Sequence, residues 1–551
     1  MKRKIFILFL GALLISTFPA AAIRYHVNIN NGNDANDGLK WSTSFKNLQA
    51  ALDTIKSGDE IWIAAGTYHP TKKIAEVYGS NNYPTTPTHD RHRSFLIRQD
   101  IAVYGGFPRN PTDATSMNSR NWLANQTVLS GDFNNDDDDN YENMEENAFH
   151  VVILFDASPS LVLDGLFITG GYADDISNIY VEGSRYFYVT SGDGGGLYSY
   201  SPNKNCSPTL TNVTFYGNYA RKSGGGMWNY SYAEAASPLM TNVSFIHNKA
   251  RNGHGGGLHN EGGGGVFAQL VNINAVGNES FLSGGGLYFT SLDKCSPLIV
   301  NSVVSGNYAG FGNGAGIYIS TLNDDAEPII INTTICGNRA EKSDRKDGGG
   351  LVIWPVGISK TSLFNTVIWG NKANKIDNFF AEGDWGSANI ITGSFIEGFD
   401  NLGATNLPGN TDPKFLDPVH ADFAPTMEGD YQLTLGSPLI NKGINSSNTA
   451  SRDLLGNNRI FDGTIDIGAY ESQGKAPTMN ETPFDEKTIW CNNGNLYVRV
   501  NQSASLQVYA LDGTVVKQKT KLDIGTYEFA LPRGYYIVTL SNGIAEKIVI
   551  R

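Results

Sequence analysis

Between residues 190 and 375, apolar and polar positions recur with a period of about 30 residues. A Gly triplet opens each repeat at Gly194, Gly224, Gly255, Gly284 and Gly348, with Gly-Ala-Gly at Gly314. A short strand-like segment follows, such as LYSY, MWNY, LYFT or IYIS. Its first residue is Leu197, Met227, Leu258, Leu287, Ile317 or Leu351, always aliphatic or Met. Its second residue is Tyr198, Trp228, His259, Tyr288, Tyr318 or Val352. Strand side chains alternate between faces, so the first column points inward and the second outward.

Two Asn columns keep the same phase. One is Asn212, Asn242, Asn272, Asn301, Asn332 and Asn365; the other, six residues later, is Asn218, Asn248, Asn278, Asn307, Asn338 and Asn371. LVLDGLFITGG (161–171) fits the frame with Asp164 and Gly170 in the two Asn places. The five residues between the columns, such as VTFYG, are β-prone and too short for a helix. Short strands separated by bends, repeated at a fixed period, predict an all-β, right-handed parallel β-helix. Asn tolerates left-handed backbone at a bend, and stacked Asn amides can bond one another as a ladder. Gly supplies positive φ at the third corner. Helical repeat families are excluded because no repeat contains a helical stretch.

The flanks differ. Residues 1–22 carry a basic start, Lys2-Arg3-Lys4, an apolar run and Ala20-Ala21-Ala22, which reads as a signal peptide. In residues 23–150, a predicted helix near Ser44 places Phe45, Leu48, Leu52 and Ile55 on one face, suited to capping the open end of the β-helix. Asp34, Asp37, Gly38, Trp41, Gly58, Asp59 and Gly66-Thr67-Tyr68 make this segment similar to the N-terminal cap of extracellular β-helix proteins of the pectate-lyase-like superfamily. Regular coils span 151–399. Within 400–473, TDPKFLDP, GDYQLTLGSPLINKG and DLLGNN…DIGAYE resemble the segment closing many bacterial surface β-helices. After a linker at 474–484, residues 485–551 read as a small β-sandwich with strands at Leu496–Val500, Leu506–Leu511, Tyr527–Leu531, Tyr535–Leu540 and Lys547–Ile550. LQVYALDGTVV, LPRGYYIVTL and KIVIR resemble a Bacteroidetes type IX secretion sorting domain, although CNNGNLYV replaces the usual Asn-Pro start. That resemblance implies recognition by the type IX machinery and display at the outer membrane or release, after both ends are processed.

Composition narrows the function classes. The 551 residues include 62 Gly, and their formal charge of −13 would become −16 on loss of the leader's three basic residues. That acidity opposes binding to nucleic acid backbones. After the leader, no stretch is long and apolar enough to span a bilayer. Cys206 and Cys295 occupy like positions three coils apart, roughly 14 Å at the spacing of parallel strands, so no disulfide is expected.

Two sets of residues are candidates for binding. The outward column Tyr198, Trp228, His259, Tyr288 and Tyr318 offers rings on which sugars could stack. In the acidic run 131–146, Asp132, Asp136, Asp137 and Asp138 could hold Ca²⁺. His89, Arg91, His92 and Arg93 form a basic cluster expected on a solvated surface. FYGN (215–218) and FIHN (245–248) resemble repeats of polymorphic outer-membrane adhesins, with ICGN and IWGN matching in part. This implies a binder of extracellular glycan or another surface. The alternative is a polysaccharide lyase or glycoside hydrolase. Gly253-His254-Gly255 is similar to a polygalacturonase motif, but the Asp motifs that accompany it there are absent. No catalytic residue is assigned.

Overall fold

A computed structural model describes residues 22–74, 89–180, 188–323, 325–341, 348–358, 360–381, 389–400 and 402–474. It also describes 489–550, apart from short gaps at 493–494, 501–502, 511–513, 523–524, 533 and 542–544. Residues 1–21, nearly all of the expected signal peptide (1–22), and nearly all of the expected linker lie outside these residues.

The chain forms a right-handed parallel β-helix followed by a small antiparallel unit. Each regular coil contributes one strand to each of four sheets, as the coil that starts at Leu197 illustrates. Sheet A (nine strands) takes Leu197–Ser201, and sheet B (eleven) takes Thr209–Thr211. Sheet C (ten) takes Thr214–Tyr216, and sheet D (six) takes Tyr219–Ala220. Sheet D is an addition to the expected outline: two residues suffice for a ladder there because the second Asn column locks each bend beside it.

The inward column of sheet A, from Leu197 to Leu351, is fully buried and joins one continuous core. The helix at the N-terminal end is shorter than expected, Leu48–Leu52, yet Phe45, Leu48, Leu52 and Ile55 all reach that core. The 161–171 segment sits one residue out of the frame inferred from sequence. Asp164 pairs with Thr211, so Gly165 (φ 73°) occupies the Asn212 place. Spacing within the segment was right, but its phase is set by which residue can adopt positive φ.

The two Asn columns do different work. The first column itself takes the left-handed bend, with φ from 48° to 57°. Its amides donate back towards the preceding coil: Asn242 to Asn212 (3.0 Å), Asn272 to Asn242 (2.8 Å) and Asn301 to Asn272 (2.6 Å). The ladder breaks at Asn332, which donates to Asn448 (2.7 Å), and resumes from Asn365 to Asn332 (3.0 Å). It is open to solvent at Asn242 and buried from Asn301 onward. In the second column the preceding Gly takes the positive φ, or His247 (53°) where Gly is missing. These Asn side chains are 0–5% exposed and donate forward without a break from Asn218 to Asn371, at 2.8–3.1 Å.

Residues 400–472 pack only in part across the end of the helix, where Phe399 and Leu402 meet the core. The rest turns back along sheet C, with Phe415, Tyr431, Leu433, Leu439 and Ile467 packed on Val303, Cys336 and Val367. The DLLGNN…DIGAYE string buries a charged cluster. Arg459, 1% exposed, sits in the field of Asp453, Asp466 and Glu471, and donates to the Gly468 carbonyl. Those carboxylates accept backbone N–H groups of Leu455, Asn457, Asn441 and Phe461. The motif therefore serves the fold.

The C-terminal unit has sheets of three and four antiparallel strands around a separate core. Ile489–Asn492 and Val515–Leu522 are strands additional to the five expected. Val515–Leu522 is a polar, exposed edge strand, without the apolar alternation that marks a strand in sequence. Cys206, Cys295 and Cys336 are buried free thiols, and Cys206 and Cys295 stack in one column separated by Ala236 and Val266.

Candidate functional site

The outward column of sheet A lies outside the coil but is not an open surface. Tyr198, Trp228, His259 and Tyr288 are only 1–8% exposed, and Tyr318 is partly buried. Tyr198 stacks on Trp228 (4.6 Å), His259 on Tyr288 (4.8 Å) and Tyr288 on Tyr318 (5.3 Å). Ile74 and Val189 join Tyr198 and Trp228 in one buried apolar cluster. The expectation of free stacking faces is corrected here: the rings are largely buried, and Tyr198–Trp228, His259–Tyr288 and Tyr288–Tyr318 face one another. His254 belongs to the same stack, 4.3 Å from Tyr288, and its Nδ1 accepts the Ser283 N–H. Burial lowers its pKa to about 3, so the ring is neutral.

Sheet D and the corner after it carry one of the open apolar patches. Phe281 and Phe311 are 40% and 52% exposed and lie 4.7 Å apart on successive coils. They line a concavity of about 360 Å³ with Lys249, Arg251, Glu279, Tyr308 and Glu341. Lys249 and Glu279 form an ion pair (2.9 Å), and Tyr308 donates to Glu341. Burial, with the Glu341 carboxylate alongside, raises the Tyr308 pKa to about 12.

The same column continues through Arg339 to Lys372, which are bridged, and opens into a larger cleft of about 960 Å³. Trp369, Phe399, Glu397 and His420 line that cleft. Glu397 accepts from the Gly370 N–H (2.8 Å) and Asn378 Nδ2 (3.0 Å), so it clamps backbone. From Lys249 to Lys372 the track covers four coil steps, roughly 19 Å at the parallel-strand spacing.

Sequence reasoning missed Phe281, Phe311 and Arg251. The available signal was a large apolar residue in a corner that is Arg-Lys or Arg-Asn in neighbouring coils. It went unread because the corner lies outside the columns that keep strict phase.

In the acidic run, Asp132, Asp136 and Asp137 converge, but Asp138 turns away to accept the N–H groups of Asn140 and Glu142. Glu146, next to the loop's return, takes the fourth place. The basic cluster is also corrected in part. Arg91 is buried, donating to the Asn147 and Tyr172 carbonyls and to Asp174 (2.6 Å), with Phe149 under its guanidinium. It ties three loops together.

No family profile matches the chain, and no curated protein is found to match it. Among solved structures, the pectate lyase Pel9A overlays with a TM-score of 0.37 and 13% identity, covering 81% of this chain and 96% of that one. GH136 lacto-N-biosidase from Eubacterium ramulus overlays with a TM-score of 0.24 and 10% identity, covering 67% of each chain. Neither overlay transfers a residue or an activity to this chain; the β-helix description rests on the strand registers above. Among the described residues, no helix is long and apolar enough to cross a membrane.

Proposed function

We propose that this protein is a surface-displayed β-helix that binds an extended saccharide chain along sheet D. The observation that carries the reading is the exposed Phe281–Phe311 pair on a linear concavity. Aromatic rings supply the apolar contact a sugar face needs, and Arg251, Lys249, Tyr308 and Glu279 supply polar partners beside it. A track along stacked coils presents like positions at a regular interval, which suits a polymer better than a compact ligand. Within the concavity both acids are engaged, Glu279 by Lys249 and Glu341 by Tyr308. This favours binding over acid–base catalysis there. The leader and the C-terminal sandwich are read as export and sorting devices that bring the track to the outer surface.

The test is affinity for a panel of neutral and acidic polysaccharides, with reducing and unsaturated ends assayed in parallel. Retention without turnover, weakened about tenfold or more in the Phe281→Ala/Phe311→Ala double variant, is the expected result. Unchanged affinity in that variant would remove sheet D as the site. New chain ends would replace the binder with a lyase or hydrolase.

A further inference from the structure

We propose that Asp132, Asp136, Asp137, Glu146 and Asn147 form a Ca²⁺ site that fixes the 131–147 loop against the coils. The four carboxylates offer oxygens that all lie within 4.8 Å of one another. Among the described residues, no Lys or Arg forms an ion pair with any of them. Convergence of like charges without a counter-charge is unfavourable and calls for a cation.

The second observation is independent of the charges. Asn147 is 0% exposed, and its Oδ1 has no hydrogen-bond partner. The other end of the same amide donates to Asp137 Oδ2 (2.7 Å), which holds Asn147 against the cluster. Asp137 Oδ1 and Glu146 Oε1 are likewise buried without a donor. Three buried acceptors with no donor between them would each cost about 1–3 kcal/mol if left so. A hard cation that takes only oxygen ligands satisfies all three together.

Asp132 also has a second role. Its Oδ1 accepts the N–H groups of Asn134, Asn135 and Asp136, and its Oδ2 accepts that of Asp137 (3.3 Å). It shapes the loop that brings Asp136 and Asp137 back beside it. Carboxylates and an amide oxygen on one irregular loop fit the adaptable, high-coordination shell of Ca²⁺ better than the strict octahedron of Mg²⁺.

The loop held this way reaches the proposed binding track. Tyr141 donates to the His247 carbonyl (2.5 Å) and stacks on the His247 ring (5.0 Å). Tyr216 donates to Asp139 (2.6 Å), and Lys249, which lines the track, lies over the Tyr141 ring. The cation would therefore steady one wall of the track. The site itself does not depend on the saccharide reading, because its ligands lie outside the concavity.

The experiment uses the full chain stripped of metal with EDTA, then titrated calorimetrically with CaCl2 and with MgCl2 in the absence of saccharide. Thermal melts are run in EDTA and in Ca²⁺. One Ca²⁺ per chain, with a raised melting temperature, is expected for the wild type. Asp137→Asn and Glu146→Gln should each weaken Ca²⁺ about tenfold or more, while melting in EDTA at or above the wild-type temperature, since each removes a repelling charge. Asp138→Asn, at the adjacent position, should leave Ca²⁺ affinity within about twofold. Absence of both heat and thermal shift at millimolar Ca²⁺ in the wild type would overturn the site, whatever the variants do. Equal weakening by Asp138→Asn would overturn the ligand set, and tighter binding of Mg²⁺ would overturn the choice of ion.

Discussion

The second Asn column should be the more sensitive of the two, and Asn278 tests this. Its side chain is fully buried and makes four hydrogen bonds. Nδ2 donates to the Phe245 carbonyl (2.8 Å) and to Asn307 Oδ1 (2.9 Å). Oδ1 accepts the backbone N–H (3.0 Å) and the amide (3.0 Å) of Asn248. Leu has a similar volume and suits the backbone at this position, so Asn278→Leu removes the polar groups with little change of shape. Asn307 Oδ1 keeps the residue 278 N–H, and the Asn248 amide keeps the Phe215 and Ile246 carbonyls. The Asn248 N–H and the Phe245 carbonyl lose their side-chain partner. The Phe245 carbonyl keeps the ladder N–H of Val276, so one buried donor is orphaned, and at about 1–3 kcal/mol for that group the loss is roughly 1–3 kcal/mol. Asn242→Gly is the matched control. Gly keeps the positive φ (54°), and the first-column amide lost there is exposed, so water replaces it for about 1 kcal/mol or less. Urea unfolding by circular dichroism, with hydrogen exchange to locate the opening, measures both. The reasoning fails if Asn278→Leu unfolds within about 0.5 kcal/mol of wild type, or if Asn242→Gly costs more.

Two further predictions concern pH and export. His150 is 1% exposed, Nδ1 donates to the Gly194 carbonyl (3.0 Å), and burial lowers its pKa from 6.5 to about 4. Because the unfolded chain binds the proton first, His150 contributes stability above pH 6.5 that is lost on acidification towards pH 4, at most about 3 kcal/mol. Relative to His150→Phe, wild type should therefore lose stability over that window; parallel pH profiles would contradict this. Deletion of 485–551 should leave the protein in the periplasm, as read by surface labelling of intact cells; normal surface display would refute the sorting role.

Much of the β-helix was legible because it is written in phase. A column that must stack on itself every coil leaves Gly, Asn or an aliphatic residue at a fixed spacing, and Leu197, Asn218 and Gly224 could be placed from spacing alone. The site was far less legible. Tyr198 and Trp228 kept phase and pointed outward, yet stacking consumed their faces; Phe281 and Phe311 kept no obvious column, yet remained open. In the acidic loop, Asp132, Asp136 and Asp137 converge as their spacing allowed, but only the loop's path brings Glu146 beside them and turns Asp138 away.

By itself the sequence determined the coil, its corners and its inward face, because hydrogen-bond closure and core burial act on each repeat in the same way. Tertiary structure decided which Asn ladder is buried, along which face residues 403–472 return, and which outward rings stay exposed. Those outcomes depend on what packs over a face from far along the chain, and a repeat carries no record of its distant neighbours.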